Sequence, residues 1–227
     1  MFDARVSTGL GGRWYGVFPA RVIDNQDPDG QGRVKVALLF APDGASARYE
    51  AWARLVTFMA GNDRGGWFVP DPDDEVLVSF AAGDPGHPFV LGALWNGQDA
   101  PPARMDTNNQ TKRLKSRNGV TVTLSDEAGR ESFVVETPGG QRLTLQDGPG
   151  EVLVEDSNGN SIKLATDGVT VNASAKVSVS AAQVEVSAGT VTVNAGMSTF
   201  NGAVKCDTLI ATSVVGTTYT PGAGNIW

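Results

Sequence analysis

The sequence predicts an all-β chain in two unlike parts: a small closed barrel, then a rod in which three copies wind about one another. Three observations carry that expectation. Of 17 Phe, Trp and Tyr residues, 13 lie within residues 1–97 and none lies between Val134 and Thr199. Compact cores draw on aromatics as their largest apolar contributors, so the first part reads as an ordinary globular domain and the second does not. The first part also alternates apolar and polar residues in short runs broken by Gly, Pro and Asp, the pattern of a small all-β barrel. In the second part, apolar pairs at i and i+2 recur along the chain, and their spacing tightens to seven or eight residues.

In the barrel, Trp14–Ile23 reads as a strand with Val17, Val22 and Ile23 as β-formers. Asp27-Pro28-Asp29-Gly30 is turn chemistry, because Pro presets φ and Gly supplies a positive one. Arg33–Leu39 follows as a second strand, paired with the first. Ala45–Met59 places Tyr49, Trp52, Val56 and Met59 at roughly helical spacing, and local propensity alone predicts a helix there. Gly61–Gly66 and Pro70–Asp74 read as loops, and Glu75–Phe80 and Pro88–Trp95 as strands.

After a polar linker, the pairs Val120/Val122, Leu143/Leu145, Val152/Val154 and Ile162/Leu164 lead into Val169/Val171, Val177/Val179, Val184/Val186 and Val191/Val193. Val, Ala, Ser and Thr supply 23 of the 31 residues from Val169 to Thr199, and only Lys176 and Glu185 there are charged. β-Branched residues with period-two alternation mean strands. A single-chain solenoid needs about 20 or more residues per turn to enclose a core. Seven residues make one short strand and a bend, which encloses nothing and leaves an aggregation-prone edge. Three chains wound together, each supplying one side of a triangular prism, bury the valines on a dry axis at about 1.5–3 kcal/mol each. Small, rotamer-poor side chains in the wall limit the entropy lost on ordering, which suits a stiff rod.

The barrel motifs are specific in their order. Gly32-Arg33-Val34-Lys35-Val36, then Trp52-Ala53-Arg54-Leu55-Val56, then Gly61 and Gly66 are followed by Phe68-Val69-Pro70 and Asp74-Glu75-Val76-Leu77-Val78-Ser79-Phe80. Gly83-Asp84-Pro85 and Pro88-Phe89-Val90-Leu91-Gly92 complete the series. Together they resemble the OB-fold domain of the phage baseplate assembly protein V family, which includes the central spikes of contractile phage tails and to which the VgrG spikes of type VI secretion are related. The resemblance implies that Trp52–Thr57 is a barrel strand rather than a helix, and that the rod is a trimeric, intertwined triple-stranded β-helix. The expected organisation is an N-terminal arm over 1–12, an OB-fold domain over 13–97, a linker over 98–117, a β-helix spike over 118–205 and a spike tip over 206–227.

The resemblance further implies a homotrimer that docks on a baseplate hub protein and carries a PAAR-type tip protein. Indirect partners are the inner tube, the baseplate wedge and the target cell envelope. Tyr219, Ile226 and Trp227 would form an apolar platform for the tip, since exposed apolar patches mark contacts. Some phage spikes hold iron through paired histidines near the tip. This chain has no His after His87, so no metal and no cofactor is expected. Some carry a lysozyme domain between barrel and rod, where paired carboxylates cleave glycan. Only about 20 polar residues occupy that position here, so no catalytic residues are expected.

Other candidates have plain structural explanations. His87 sits in a turn, Gly86-His87-Pro88, and Cys206 is a lone thiol of the kind that usually packs as a small hydrophobe. Lys112-Arg113-Leu114-Lys115-Ser116-Arg117 reads as solvated, or as pairing with acidic surface between barrel and rod. Asp71, Asp73, Asp74 and Glu75 lack the ligand spacing of a calcium loop. One cysteine excludes an intrachain disulfide framework. The N-terminus shows no basic and apolar signal pattern, so the chain is expected to be made in the cytoplasm as part of a virion or phage-tail-like particle. With 18 basic against 25 acidic side chains, the balance of −7 argues against a nucleic-acid surface, although Trp14, Trp52, Trp67 and Trp95 exist as stacking groups. A carbohydrate-binding tail fibre is the alternative trimer, and the absence of aromatics over 134–199 weighs against it.

Overall fold

In the computed structural model, residues 13–40, 49–148 and 150–218 are described, and the chain divides into one unit ending at Lys176 and a second beginning at Val177. The first unit holds two large sheet structures and one small hairpin. Five strands, β1 (Val17–Asp24), β2 (Arg33–Leu38), β3 (Glu50–Leu55), β6 (Glu75–Phe80) and β7 (Pro88–Ala93), close into a barrel in the order β1-β2-β3-β7-β6. A minute hairpin, β4 (Ala60–Gly61) and β5 (Arg64–Gly65), interrupts the expected Gly61–Gly66 loop. All barrel pairings are antiparallel except β3 with β7, where Arg54 faces Phe89 and Leu55 faces Val90. This is the OB-like barrel expected of the N-terminal part.

Glu50–Leu55 is a strand, as the resemblance implied for Trp52–Thr57, rather than the helix that local propensity alone predicts; residues 45–48 lie outside the described residues. Lys35 lies opposite Trp52, and its ammonium meets Glu50 at 2.9 Å. Pairing on both sides of β3 outweighs the few tenths of a kcal/mol per residue by which helix propensity differs. The core is mainly aliphatic, with Phe80 as its one buried aromatic. Its largest fully buried side chains are Val22, Val34, Val36, Val76 and Val78, with Ala20 and Ala53 beside them. The middle of a five-stranded barrel leaves room mainly for small inward side chains. The aromatics close one end instead: Trp14, Phe18 and Tyr49 surround Phe80 with ring centroids 5.2, 5.4 and 5.7 Å away. Trp14 lies before β1 rather than in it, and its amide donates to the Gly83 carbonyl at 2.7 Å.

The turn between β1 and β2 is built around one carboxylate. The Asp27 side chain, only 4% exposed, accepts hydrogen bonds from the Arg33 guanidinium (2.7 Å) and from the backbone amides of Asp29, Gln31 and Arg33. The Arg33 side chain, more than any other partner, holds its carboxyl well below the usual carboxylate range.

The second structure of this unit is a seven-stranded antiparallel meander, β8 (Thr111–Lys115), β9 (Thr121–Ser125), β10 (Ser132–Glu136), β11 (Arg142–Gln146), β12 (Glu151–Glu155), β13 (Ser161–Ala165) and β14 (Gly168–Asn172). It occupies much of the stretch expected as the β-helix spike over 118–205. Over 111–172 each strand pairs with its own neighbours in the chain. The physical reason lies in the turns, which are long enough to reverse direction. In one of them the Asp156 carboxylate accepts from the side chain of Asn160 at 2.8 Å and from the backbone amides of Asn158 and Asn160 at 2.9 Å. Those bonds, the Asn160 side chain first, lower its pKa to about 2. The meander also begins inside the expected linker, since β8 occupies 111–115. In the second unit no strand follows among the described residues, and its large apolar residues from Val177 to Val215 are 60–96% exposed.

Candidate functional site

Alternation puts the side chains of each five-residue strand on two faces, and the register of the meander decides what those faces carry. One row runs Leu114, Val122, Val135, Leu143, Val154, Ile162, Val171 across all seven strands. A second runs Leu124, Phe133, Leu145, Val152, Leu164, Val169 and ends at Lys112 on the edge strand. Both rows lie on the same face, so thirteen apolar side chains form one stripe, two residues wide and about 30 Å tall at ~4.8 Å per strand. The opposite face is mainly polar: Thr121 donates to Glu136 at 3.1 Å, Arg113 to Thr123 at 3.1 Å, and Lys163 meets Glu151 at 2.6 Å. The Glu151 carboxylate holds the Lys163 ammonium above its usual pKa.

The apolar stripe is only half covered within the chain; Val154 is 46% exposed and Ile162 45%. An uncovered stripe of this size does not persist on a soluble protein without a partner surface. Being two residues wide, it cannot fold over on itself, but three such stripes can enclose one another. Chemically the face offers shape and hydrophobicity, with no reactive group.

The residues singled out from the sequence are not brought together. His87 Nδ1 lies 3.2 Å from Asp84 in an exposed loop, and Asp84 is lowered in pKa chiefly by the Gly86 amide and then by His87. Cys206 is exposed in the second unit. The basic run divides: Lys112 pairs with Asp126 at 3.1 Å, and Arg117 reaches Asp71 on the barrel at 2.8 Å, the pairing with acidic surface that the sequence suggested. Asp73 faces Arg21 at 3.9 Å, Asp74 accepts from the Asp71 amide at 2.8 Å, and Glu75 accepts from Asn96 at 3.0 Å. Among the described residues no group of three or more His, Cys, Asp or Glu is placed to hold a metal ion. Tyr219, Ile226 and Trp227, like the arm over 1–12, lie outside the described residues.

Sequence reasoning passed over Phe133 and Val135, and over Leu114 and Leu124, having paired Val122 with Val120, which lies in neither row; it also passed over the aromatic side chains that the barrel turns outward. Phe133 and Val135 were legible, since Ser132-Phe133-Val134-Val135-Glu136 alternates like its neighbours. The outward aromatics were not, because composition does not say which aromatics face in.

Comparison with known proteins agrees with this division. Residues 18–95 match the type VI secretion system/phage-baseplate injector OB domain, and residues 132–204 match the phage baseplate V C-terminal trimerisation domain. The chain is similar to the type VI secretion system spike proteins VgrG1b and VgrG1a of Pseudomonas aeruginosa, 27% identical over 127 residues and 28% over 116. It is also similar to spike protein VgrG3 of Vibrio cholerae, 32% identical over 115 residues. These alignments take in 52%, 47% and 47% of this chain but only 17%, 18% and 11% of the relatives, so the chain spans less than a fifth of their length.

Proposed function

The chain belongs to the phage baseplate V family, and from that premise we propose that three copies form the central spike of a contractile injection machine, a phage tail or a tail-derived injector. The observation that carries this is the apolar stripe on the meander. Three stripes facing a common axis make a closed triangular prism, dry inside and polar outside. From Val177 on, the seven-to-eight-residue repeat is too short for hairpins of the kind seen in β8–β14. There the strands pair between chains as an intertwined β-helix. Intrachain pairing up to Asn172 and interchain pairing beyond it are two ways of meeting the same requirement, that backbone N–H and C=O groups be bonded.

The work of such a spike is mechanical. The three barrels sit on a hub protein beneath the inner tube and close it, and the rod carries a PAAR-type tip seated on Tyr219, Ile226 and Trp227. Contraction of the surrounding machine then drives the rod through the target envelope. No step of this requires a catalytic group, a metal or a cofactor.

Light scattering after size exclusion, with one sample left unboiled in SDS, tests the proposal. A species near three times 23.7 kDa that survives SDS is expected. A folded monomer would overturn it.

A further inference from the structure

The stretch expected as a linker over 98–117 is tied at both ends. At the barrel, Asn96 acts as a clamp: its side-chain amide donates to Glu75 and to Asp99 at 3.0 Å, and its side-chain oxygen accepts from the amides of Gln98 and Asp99 at 2.8 Å. At the meander, the Arg113 guanidinium donates to the Pro102 carbonyl at 3.4 Å and to the Thr123 hydroxyl at 3.1 Å, and the Asp126 amide donates to the Gln110 carbonyl at 2.8 Å. Pro101 and Pro102 fix two φ angles between the ends. One chain path is still a single attachment, and about a single attachment two bodies can turn.

A second attachment lies off that path. Arg117, in the turn between β8 and β9, donates to Asp71 on the barrel at 2.8 Å. For each of these two side chains it is the only hydrogen bond among the described residues. Both belong to turns that are built without it. On the barrel, the Asp71 amide donates to the Asp74 carboxylate at 2.8 Å and the Asp74 amide to the Asp71 carbonyl at 3.1 Å. The Asp73 amide donates to the Val22 carbonyl at 2.8 Å, and the Val22 amide to the Asp74 carbonyl at 3.0 Å, which seats this loop on β1. On the meander, the Ser116 amide donates to the Val120 carbonyl at 2.9 Å, and the Val120 amide to the Ser116 hydroxyl at 3.0 Å. The ion pair therefore has no local task in either turn. What it acts on is the angle between the two bodies that carry them.

We infer that Arg117 and Asp71 form a latch that holds the barrel at one angle to the meander, and that opening it lets the barrel swing on residues 98–110. The side chains are 73% and 38% exposed, and an exposed ion pair shifts a two-state balance by up to about five-fold. The latch thus biases the joint, and salt opens it, since the screening length falls to about 3 Å at 1 M. With the latch shut, force entering at the barrel passes along the meander instead of bending the chain between them. That consequence rests on the spike reading above; the latch itself does not.

The test is time-resolved fluorescence anisotropy of the full-length chain, carrying Cys206→Ser and a long-lived dye on Leu91→Cys. Leu91 is 43% exposed on strand β7. The decay separates swinging of the barrel, a fast phase, from rotation of the whole particle, a slow one. Relative to the chain with the pair intact, the fast amplitude is expected to rise about two- to five-fold in Arg117→Ala, in Asp71→Ala and in 1 M salt. It should fall back when the charges are exchanged, Asp71→Arg with Arg117→Asp. Equal fast amplitudes with and without the pair overturn the inference, and so does a rise that the exchange fails to reverse. Light scattering on the same samples judges the spike reading separately: a mass of one chain overturns the trimer, while a reversible rise in that sample still upholds the latch.

Discussion

Val22, Val34, Val36, Val76 and Val78 in the barrel are fully buried, while Val154, Val169 and Val171 in the meander are exposed, although both sets sit at alternate positions of short antiparallel strands. Strand length, residue type and hydrogen bonding are nearly the same in the two regions. What differs is closure. The barrel joins β6 back to β1, from Val17 opposite Ser79 to Arg21 opposite Glu75, so its apolar face becomes an inside. The meander has two free edges, β8 and β14, and its apolar face remains a surface. A sheet that closes on itself is a domain; one that stays open needs other chains to be complete. The free edge β8 carries Lys112, Arg113 and Lys115, charges that discourage stray pairing.

The sharpest way to break this comparison is to charge the open face. Val154 and Ile162 lie opposite one another in the first row. Val154→Asp combined with Ile162→Asp places six carboxylates around a common axis in a trimer, and complete dissociation is expected. Scattered mass would fall to one third while the near-UV circular dichroism of the barrel aromatics stays unchanged. Persistence of the trimer would show that the stripe is not the interface.

The reciprocal change acts on the closed region. Val78→Asp buries an unpaired carboxylate in the barrel, at a cost of about 4 kcal/mol or more. Barrel unfolding, followed through Trp14 and Trp52 fluorescence, is expected to occur far below its normal denaturant midpoint, while the SDS-resistant trimer band remains. If the band disappears as well, the two regions fold as one unit.

Smaller effects should follow pH. Tyr49 is partly buried among the barrel-end rings and its hydroxyl donates to the Pro85 carbonyl; burial first, and the nearby charge of Asp84 second, raise its pKa to about 12. Its contribution is fully present below an unfolded value of ~10 and is lost as pH rises through about 12. The barrel's melting temperature should therefore fall over that range, and Tyr49→Phe should remove that component. On the acid side, the turn held by Asp156 keeps its full stability above an unfolded value of ~3.9. It loses it as pH falls through about 2. Hydrogen exchange at the amides of Asn158 and Asn160, compared at pH 5 and pH 2 with Asp156→Ala as reference, reads this locally, with about the same protection in the variant at both pH values expected after correction for intrinsic rates.

Much of this was legible along the chain. The strands around Val22, Val34 and Val76 announce themselves by alternation, and the change at residue 97 announces itself by the loss of aromatics. Other features were hidden for identifiable reasons. Thr111–Lys115 has a single apolar residue, so nothing local distinguishes β8 from a linker; it is a strand because Leu114 and Val122 pair. Glu50–Leu55 reads as helix until β2 and β7 are set on either side. The Asp27–Arg33 pair spans six residues of a turn that the sequence identifies only as a turn. The outward aromatics Phe58, Trp67 and Phe68 look in composition like the core residues they are not.

By itself, then, the sequence determined what depends on period: an all-β chain, a globular first part, and a second part whose repeats are too short to enclose a core alone. Tertiary structure decided what depends on register and closure. Which strands reverse within the chain, which residues share the two apolar rows, and which aromatics face outward follow from pairings between residues far apart in the chain, and local propensities, worth only a fraction of a kcal/mol per residue, do not fix those pairings.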